Sequence, residues 1–241
     1  MEKLDAIVSL SKTMDCELET GKEKEILSFD GKAGNGSGRK ETDIAGAKQL
    51  HTLNVYSSDY GFCLTQTFVD EKSNEITSMP EILSRLDLRN TLATWDALNT
   101  QKEVVQAVIT GKGDYVGALK TIEKNNPKQP IVEETRYFIS SVTDISEYSR
   151  AVRSHWGVEN GLHWHLDFTF NDDKNTTMAK NGAKGLQVMK KLGLAILKMA
   201  QCLYPKRTSL KMIRFQLAMS FENEIGRIFS MMNIANLAIA K

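Results

Sequence analysis

Two segments of this chain end an apolar run on an aspartate. KEILSFDG places Asp30 after residues 25–29, and TLATWDAL places Asp96 after residues 91–95. If the two runs are neighbouring strands, both carboxylates leave the same edge of one sheet. Two close carboxylates repel and raise each other's pKa unless a cation lies between them. A site made only of carboxylates suits a hard divalent ion such as magnesium or manganese. Each aspartate taken alone has a plainer role, capping the turn or helix that follows it.

A third acid stands in HWGVENGLHW. Val152, Trp156, Glu159, His163 and Leu166 recur at spacings of three and four, which predicts one face of a helix. The rest of that face is apolar or aromatic, with Glu159 at its centre. A buried carboxylate is costly unless it is paired, hydrogen-bonded or bound to metal. An ion pair with Arg153 or Lys120 competes with metal binding as its explanation. His155, His163 and His165 raise the question of zinc. His163 and His165, however, stand two apart and point to different sides of a helix, so packing and hydrogen bonding are expected of the histidines.

The elements that must position these acids can be read from periodicity. Short strands are predicted at 25–29, 53–57, 62–69, 91–95 and 115–119, with one more at 136–141. Helices are predicted at 1–14, at 81–86 opened by Pro80, at 101–110, at 147–166 and at 185–203, and 210–240 is largely helical. GNGSG at 34–38 is a flexible loop, and 125–130, with Pro127 and Pro130, is a linker. Three strands, helix, strand, helix, strand and then helices is an α/β pattern with a mixed sheet.

The 241 residues, 41% hydrophobic and 25% charged, fit one globular domain, or one with a small appendage. No signal peptide is read at the start, and no uninterrupted apolar stretch reaches the length of a membrane span. Cys16, Cys63 and Cys202 are scattered and form no CxxC pair, which predicts neither a disulfide framework nor a zinc site. The expected compartment is a reducing cytoplasm. The net charge of +1 says nothing for nucleic acid, but its distribution does. Residues 174–221 hold no Asp or Glu, yet carry Lys174, Lys180, Lys184, Lys190, Lys191, Lys198, Lys206, Arg207, Lys211 and Arg214. Such a block is an electrostatic footprint for a polyanion, or else the solvated faces of helices.

FDGKAGNGSGRK, FVDEKSNEITSMPEIL, TWDALNTQKEVV, KGDYVGALK and RSHWGVENGLHWHLDFTFNDD resemble the H-repeat-associated, ISAs-type insertion-sequence transposases of the DDE superfamily. The five motifs occur in that family's order over residues 26–200. The resemblance implies an α/β, ribonuclease-H-like fold with a mixed sheet flanked by helices. It maps a DDE triad onto Asp30, Asp96 and Glu159. It implies two ions, Mg2+ or Mn2+, and phosphoryl transfer in which one ion activates a water or a DNA 3′-hydroxyl and the other stabilises the leaving oxygen. The implied partners are the insertion sequence's terminal inverted repeats, target DNA, and further copies of the chain in a synaptic complex at the nucleoid. Lys32, Arg153, His155, Lys174, Lys180, Lys184, Lys190 and Lys191 are expected to hold phosphates. Related families place an arginine four residues before the glutamate and a lysine seven after it; here those positions hold His155 and Leu166.

Measured against that family, residues 1–22 read as a short helix, the remnant of a longer N-terminal domain. Residues 23–204 read as the catalytic domain with a shortened insertion at 121–134, and 205–241 as a helical tail. The expectation is a shortened transposase with an intact triad and weak activity. The alternatives are a catalytically silent DNA-binding remnant and a general ribonuclease-H-like nuclease.

Overall fold

The computed structural model describes residues 23–34, 50–69, 75–124, 133–175, 177, 180–201, 204, 205 and 207–220, together with 222, 226, 228 and 230. The helix expected at 1–14, the linker at 125–130 and all but Gly34 of the loop expected at 34–38 lie outside the described residues; Gly34 itself is strand, paired with Leu50.

Six strands form one sheet: β1 (Glu25–Gly34), β2 (Leu50–Ser57), β3 (Phe62–Val69), β4 (Thr91–Trp95), β5 (Asp114–Lys124) and β6 (Glu133–Ser140). Their order is β3-β2-β1-β4-β5-β6. β1, β2 and β3 pair antiparallel, β1–β4 and β4–β5 pair parallel, and β6 returns antiparallel on β5. Parallel neighbours need a crossover. α1 (Glu75–Ser84) lies between β3 and β4 in the chain, and α2 (Lys102–Thr110) crosses from β4 to β5.

Alternation along β1 explains both faces of the sheet. Leu27 and Phe29 join Leu53, Val55, Trp95, Met79, Ile82, Leu83, Val104 and Val108 in the core beneath α1 and α2. Ile26 points the other way and packs with Leu92, Val116 and Ala151 under α3 (Ile145–His155). With a period of two, Ser28 and Asp30 share Ile26's side, and Thr94 and Asp96 share Leu92's side. Both aspartates are thereby aimed toward the helical layer that starts with α3. Asp144 caps α3, accepting from the N–H groups of Ser146 at 2.6 Å and Glu147 at 3.0 Å.

After α3 the chain makes a five-residue π turn, Glu159–His163, and resumes as α4 (Trp164–Phe170). The single helix expected at 147–166 is therefore interrupted. α5 (Lys180–Ala200) and α6 (Leu210–Met219) complete a third cluster with Tyr56, Val158, Leu162 and Leu166. The described part of the expected tail thus belongs to a core through Leu210, Ile213 and Leu217.

Two further expectations need correction. α1 begins at Glu75, and Pro80 lies inside it rather than opening it. Burial of Met79, Ile82 and Leu83, about 1.5–3 kcal/mol for each such side chain, outweighs the hydrogen bond that Pro80 cannot donate. The shortened insertion expected at 121–134 begins and ends as strand, because β5 and β6 stay paired out to Lys124 and Glu133. Among the described residues, no helix is long and apolar enough to cross a membrane.

Candidate active site

The parallel register of β1 and β4 pairs Ser28 with Thr94 and Phe29 with Trp95. Asp30 and Asp96 are the next residues on neighbouring strands, which lie about 4.8 Å apart. β4 ends at Trp95, and Asp96 turns into the loop before α2. One oxygen of Asp96 accepts from the backbone N–H of Asn99 at 3.2 Å and from its side-chain amide at 3.0 Å. Asp96 therefore also caps its turn, and the buried Asn99 fixes the carboxylate's orientation.

Asp30 is the crowded member of the group. Burial pushes its carboxyl up to about 7, and the negative charges of Asp96, Glu159 and Glu75 push the same way; the N–H of Gly31 opposes them. At neutral pH a proton half-relieves this crowding, and a divalent cation would relieve it more fully. The residues present fit such an ion in charge and in oxygen donors.

Glu159 and His163 come from the π turn. His163 Nδ1 lies 3.0 Å from Glu159 Oε2 and 3.5 Å from Asp30 Oδ2. One donor atom from each of these three residues falls within 4.8 Å of the others. The turn passes directly over Tyr56, and any side chain at Gly161 would collide with the Tyr56 ring and hydroxyl. Gly161 thus permits the close approach that sets Glu159 above β1. π turns of this kind are frequent at functional sites.

The extra residue of the π turn changes which side chains face inward. Val158, Leu162, His163 and Leu166 are buried, whereas the Glu159 side chain is 62% exposed and Trp156 is on the surface. Glu159 is therefore not at the centre of a buried apolar face, as straight helical spacing predicted. Lys120, one of its expected partners, sits over the Tyr137 ring. His163 and His155 make the hydrogen bonds expected of the histidines, which leaves His155 engaged inside the fold rather than free to hold a phosphate. His163 lies in the site as a neutral ring, held down at about 4 chiefly by burial. His155 is held below its ordinary value by burial and meets Thr94 Oγ1 through Nδ1 at 3.1 Å.

Several residues expected to hold phosphates are otherwise engaged. Lys190 is buried and donates to Asp172 at 2.7 Å, and the Asp172 side chain is 1% exposed. Lys191 is buried and donates to Asn54 and Gln66. Neither lies on a DNA-facing surface: α5 turns this part of its length toward the sheet, as Leu194 and Ala195 in the next turn show. Lys32 is largely buried in an ion pair with Asp167 at 2.8 Å. Arg153 and Lys174 are exposed, Lys184 is half-buried over the Phe68 ring, and the Lys180 side chain lies outside the described residues.

Glu75 is the acid that sequence reasoning passed over. It is 4% exposed, and its carboxylate fills the space that a side chain at Gly31 would need. It stands inside the NEIT motif, but a glutamate in the first turn of a helix is so common that its type carries no signal. His163 was placed on the Glu159 face and set aside as a metal ligand because His165, two residues on, points to another side of a helix.

A mixed sheet in this order, with one acid inside β1 just past its parallel pairing with β4, a second just past the end of β4 and a glutamate on the helical layer above, defines a ribonuclease-H-like α/β domain. The chain belongs to the Transposase DDE domain family, which matches residues 20–190. “Putative transposase YncI” of Escherichia coli O157:H7 is 26% identical, covering 72% of this chain and 62% of the relative. “H repeat-associated putative transposase YhhI” of Escherichia coli K12 is also 26% identical, covering 76% of this chain and 66% of the relative. The chain spans slightly less than two thirds of the length of these relatives. The fold is similar to that of the piggyBac transposase in its synaptic complex with hairpin DNA, with a TM-score of 0.54 at 10% identity over 86% of this chain and 54% of that one.

Proposed function

We propose that this chain cuts DNA strands at insertion-sequence ends and joins them to target DNA, with Asp30, Asp96 and Glu159 holding two magnesium or manganese ions. The observation that carries this reading is the β1–β4 register, which makes Asp30 and Asp96 adjacent, with Glu159 close enough to share His163 with Asp30. When bound, such ions activate the attacking oxygen and stabilise the leaving one.

The protein's own part is positioning. Asp30 is anchored on β1, and Asp96, just past β4, is held by Asn99. Glu159 is exposed on an irregular turn, and supplies the adjustable third arm. Neutral His155 fills the gap between α3 and Thr94 behind Asp96. Arg153 and Lys174 offer exposed positive charge beside the helical layer for the phosphates of a bound strand. Nicking needs only the acids and one strand. Joining needs two ends and a target held at once, which calls for further copies of the chain. We therefore expect nicking to be separable from end-specific joining.

The test is cleavage of supercoiled plasmid with and without the flanking inverted repeats, in Mg2+ and in Mn2+. The reading expects metal-dependent nicking on both plasmids, with little or no end-specific joining by this chain alone. Efficient, repeat-dependent excision by the purified chain would show that end recognition and synapsis are complete within it. Absence of cleavage under all conditions would leave a DNA-binding protein without this chemistry.

A further inference from the structure

We propose that His163 is a metal ligand, its Nδ1 joining Asp30 and Glu159 at one of the two ion positions and making that position favour manganese over magnesium. This rests on the reading of the acids as metal-holding groups. It changes the donor set from oxygen alone to oxygen and nitrogen.

The geometry supports it in three ways. One donor atom from each of Asp30, Glu159 and His163 lies within 4.8 Å of the other two, a span a single ion can bridge with bonds of about 2.1 Å and small side-chain shifts. His163 is only 5% exposed, on a turn packed through Leu162 and Leu166 into the core beside α5 and α6, so its ring is held at the site. Its Nδ1, not its Nε2, faces both carboxylates.

The ring has two uses at this position, separated by its tautomer. With the proton on Nδ1 it donates to Glu159 and keeps the two acids together. With the proton on Nε2, the Nδ1 lone pair is directed at an ion between the acids. Nε2 is buried with no hydrogen-bond partner among the described residues, so no group on the far side of the ring fixes either tautomer. Manganese shares magnesium's liking for carboxylates but, as a transition ion, accepts one imidazole nitrogen more readily than magnesium, which keeps to oxygen. By contrast, His155 is turned to Thr94.

Pulsed electron paramagnetic resonance on the purified chain loaded with Mn2+ tests this directly. A nitrogen bonded to the ion imposes a 14N coupling, which changes to a 15N pattern when the histidines are 15N-labelled. The expected result is that coupling in the wild type and its loss in His163→Gln, with Mn2+ affinity reduced by at least roughly tenfold and Mg2+ affinity much less changed. Should His163→Gln not fold, His155→Gln must leave the coupling intact. Bound Mn2+ without nitrogen coupling, coupling that survives in His163→Gln, or coupling lost in His155→Gln overturns the assignment while leaving the acids as ligands. Failure of the wild type to bind Mn2+ overturns the underlying metal reading as well.

Discussion

Phe29 pairs with Trp95 across the parallel β1–β4 ladder, so the aspartates that follow them leave adjacent strands together and on the same face. Everything proposed for the site depends on this register. Slipping it by one residue would send one aspartate toward α1 and α2, into an apolar core.

The π turn is maintained by a close approach that can be tested. Gly161 lies against Tyr56, leaving no room for a methyl group. Gly161→Ala is expected to displace Glu159 and His163 and to lower the nicking rate at least tenfold while the sheet stays folded. Tyr56→Phe added to Gly161→Ala removes the nearest atom of the collision and should recover part of the rate. A full rate in Gly161→Ala, measured on supercoiled plasmid, would show that the turn tolerates the shift.

Asp30 and His163 make opposite demands on pH in the metal-free protein. Asp30 rises from 3.8 to about 7 on folding, so its contribution is present at low pH and is lost as pH rises from about 4 to about 7. His163 falls from 6.5 to about 4, so its contribution is lost as pH falls through that interval. Between about 4 and 6.5 the two slopes oppose. The wild type should therefore show little pH dependence from this pair. His163→Gln should expose the Asp30 slope, losing up to about 1.4 kcal/mol per pH unit as pH rises. Urea denaturation in a chelator across this range measures both; equal slopes in the two proteins would contradict the coupling.

The residues expected to hold phosphates separate into buried and exposed cations, and the two kinds predict different outcomes. Lys190→Met leaves the buried Asp172 charge uncompensated, with only the Gln187 amide still donating to it, and should destabilise by about 3–5 kcal/mol, measured by denaturation. Arg153→Gln with Lys174→Gln should leave stability nearly unchanged. It should flatten the log–log salt dependence of DNA binding by up to about 0.9 for each phosphate that is no longer neutralised. An unchanged slope would mean that these two side chains are solvated surface.

These assignments show which parts of the site were legible in the sequence. The placement of Asp30 and Asp96 on neighbouring strands was, because each follows an apolar run and strand alternation fixes the side from which it emerges; Asp96 follows the end of β4 as expected, whereas β1 continues past Asp30 to Gly34 because β2 stays paired with it. The surroundings of Glu159 were not. Periodicity assumes an unbroken 3.6-residue repeat, and the five-residue π turn breaks it between Val158 and Trp164. That break exposed Glu159 and buried Leu162, while the four-residue spacing of Glu159 and His163 kept the two together. The lysines failed for another reason. An acid-free run records charge along the chain, whereas Lys190 finds its acid in Asp172, before α5, and Lys191 finds its acceptors in Asn54 and Gln66, on β2 and β3. Most strand positions were legible; β1 and β5 run on past their expected ends, and β2 and β6 start before their expected beginnings, because pairing with a neighbour, not composition, sets those bounds.

The central claim is that Asp30, Asp96 and Glu159 act together on DNA through bound metal. Strand cleavage by Asp96→Asn tests it most directly, since this change keeps the size of the side chain and removes the charge beside Asp30. Nicking of supercoiled plasmid should be followed in Mg2+ and Mn2+, with wild type and variant matched for folding by circular dichroism. The expected result is metal-dependent nicking by the wild type and a loss of about a hundredfold or more in the variant, the scale of removing one preorganised electrostatic group. Nicking that persists undiminished in Asp96→Asn would contradict the account.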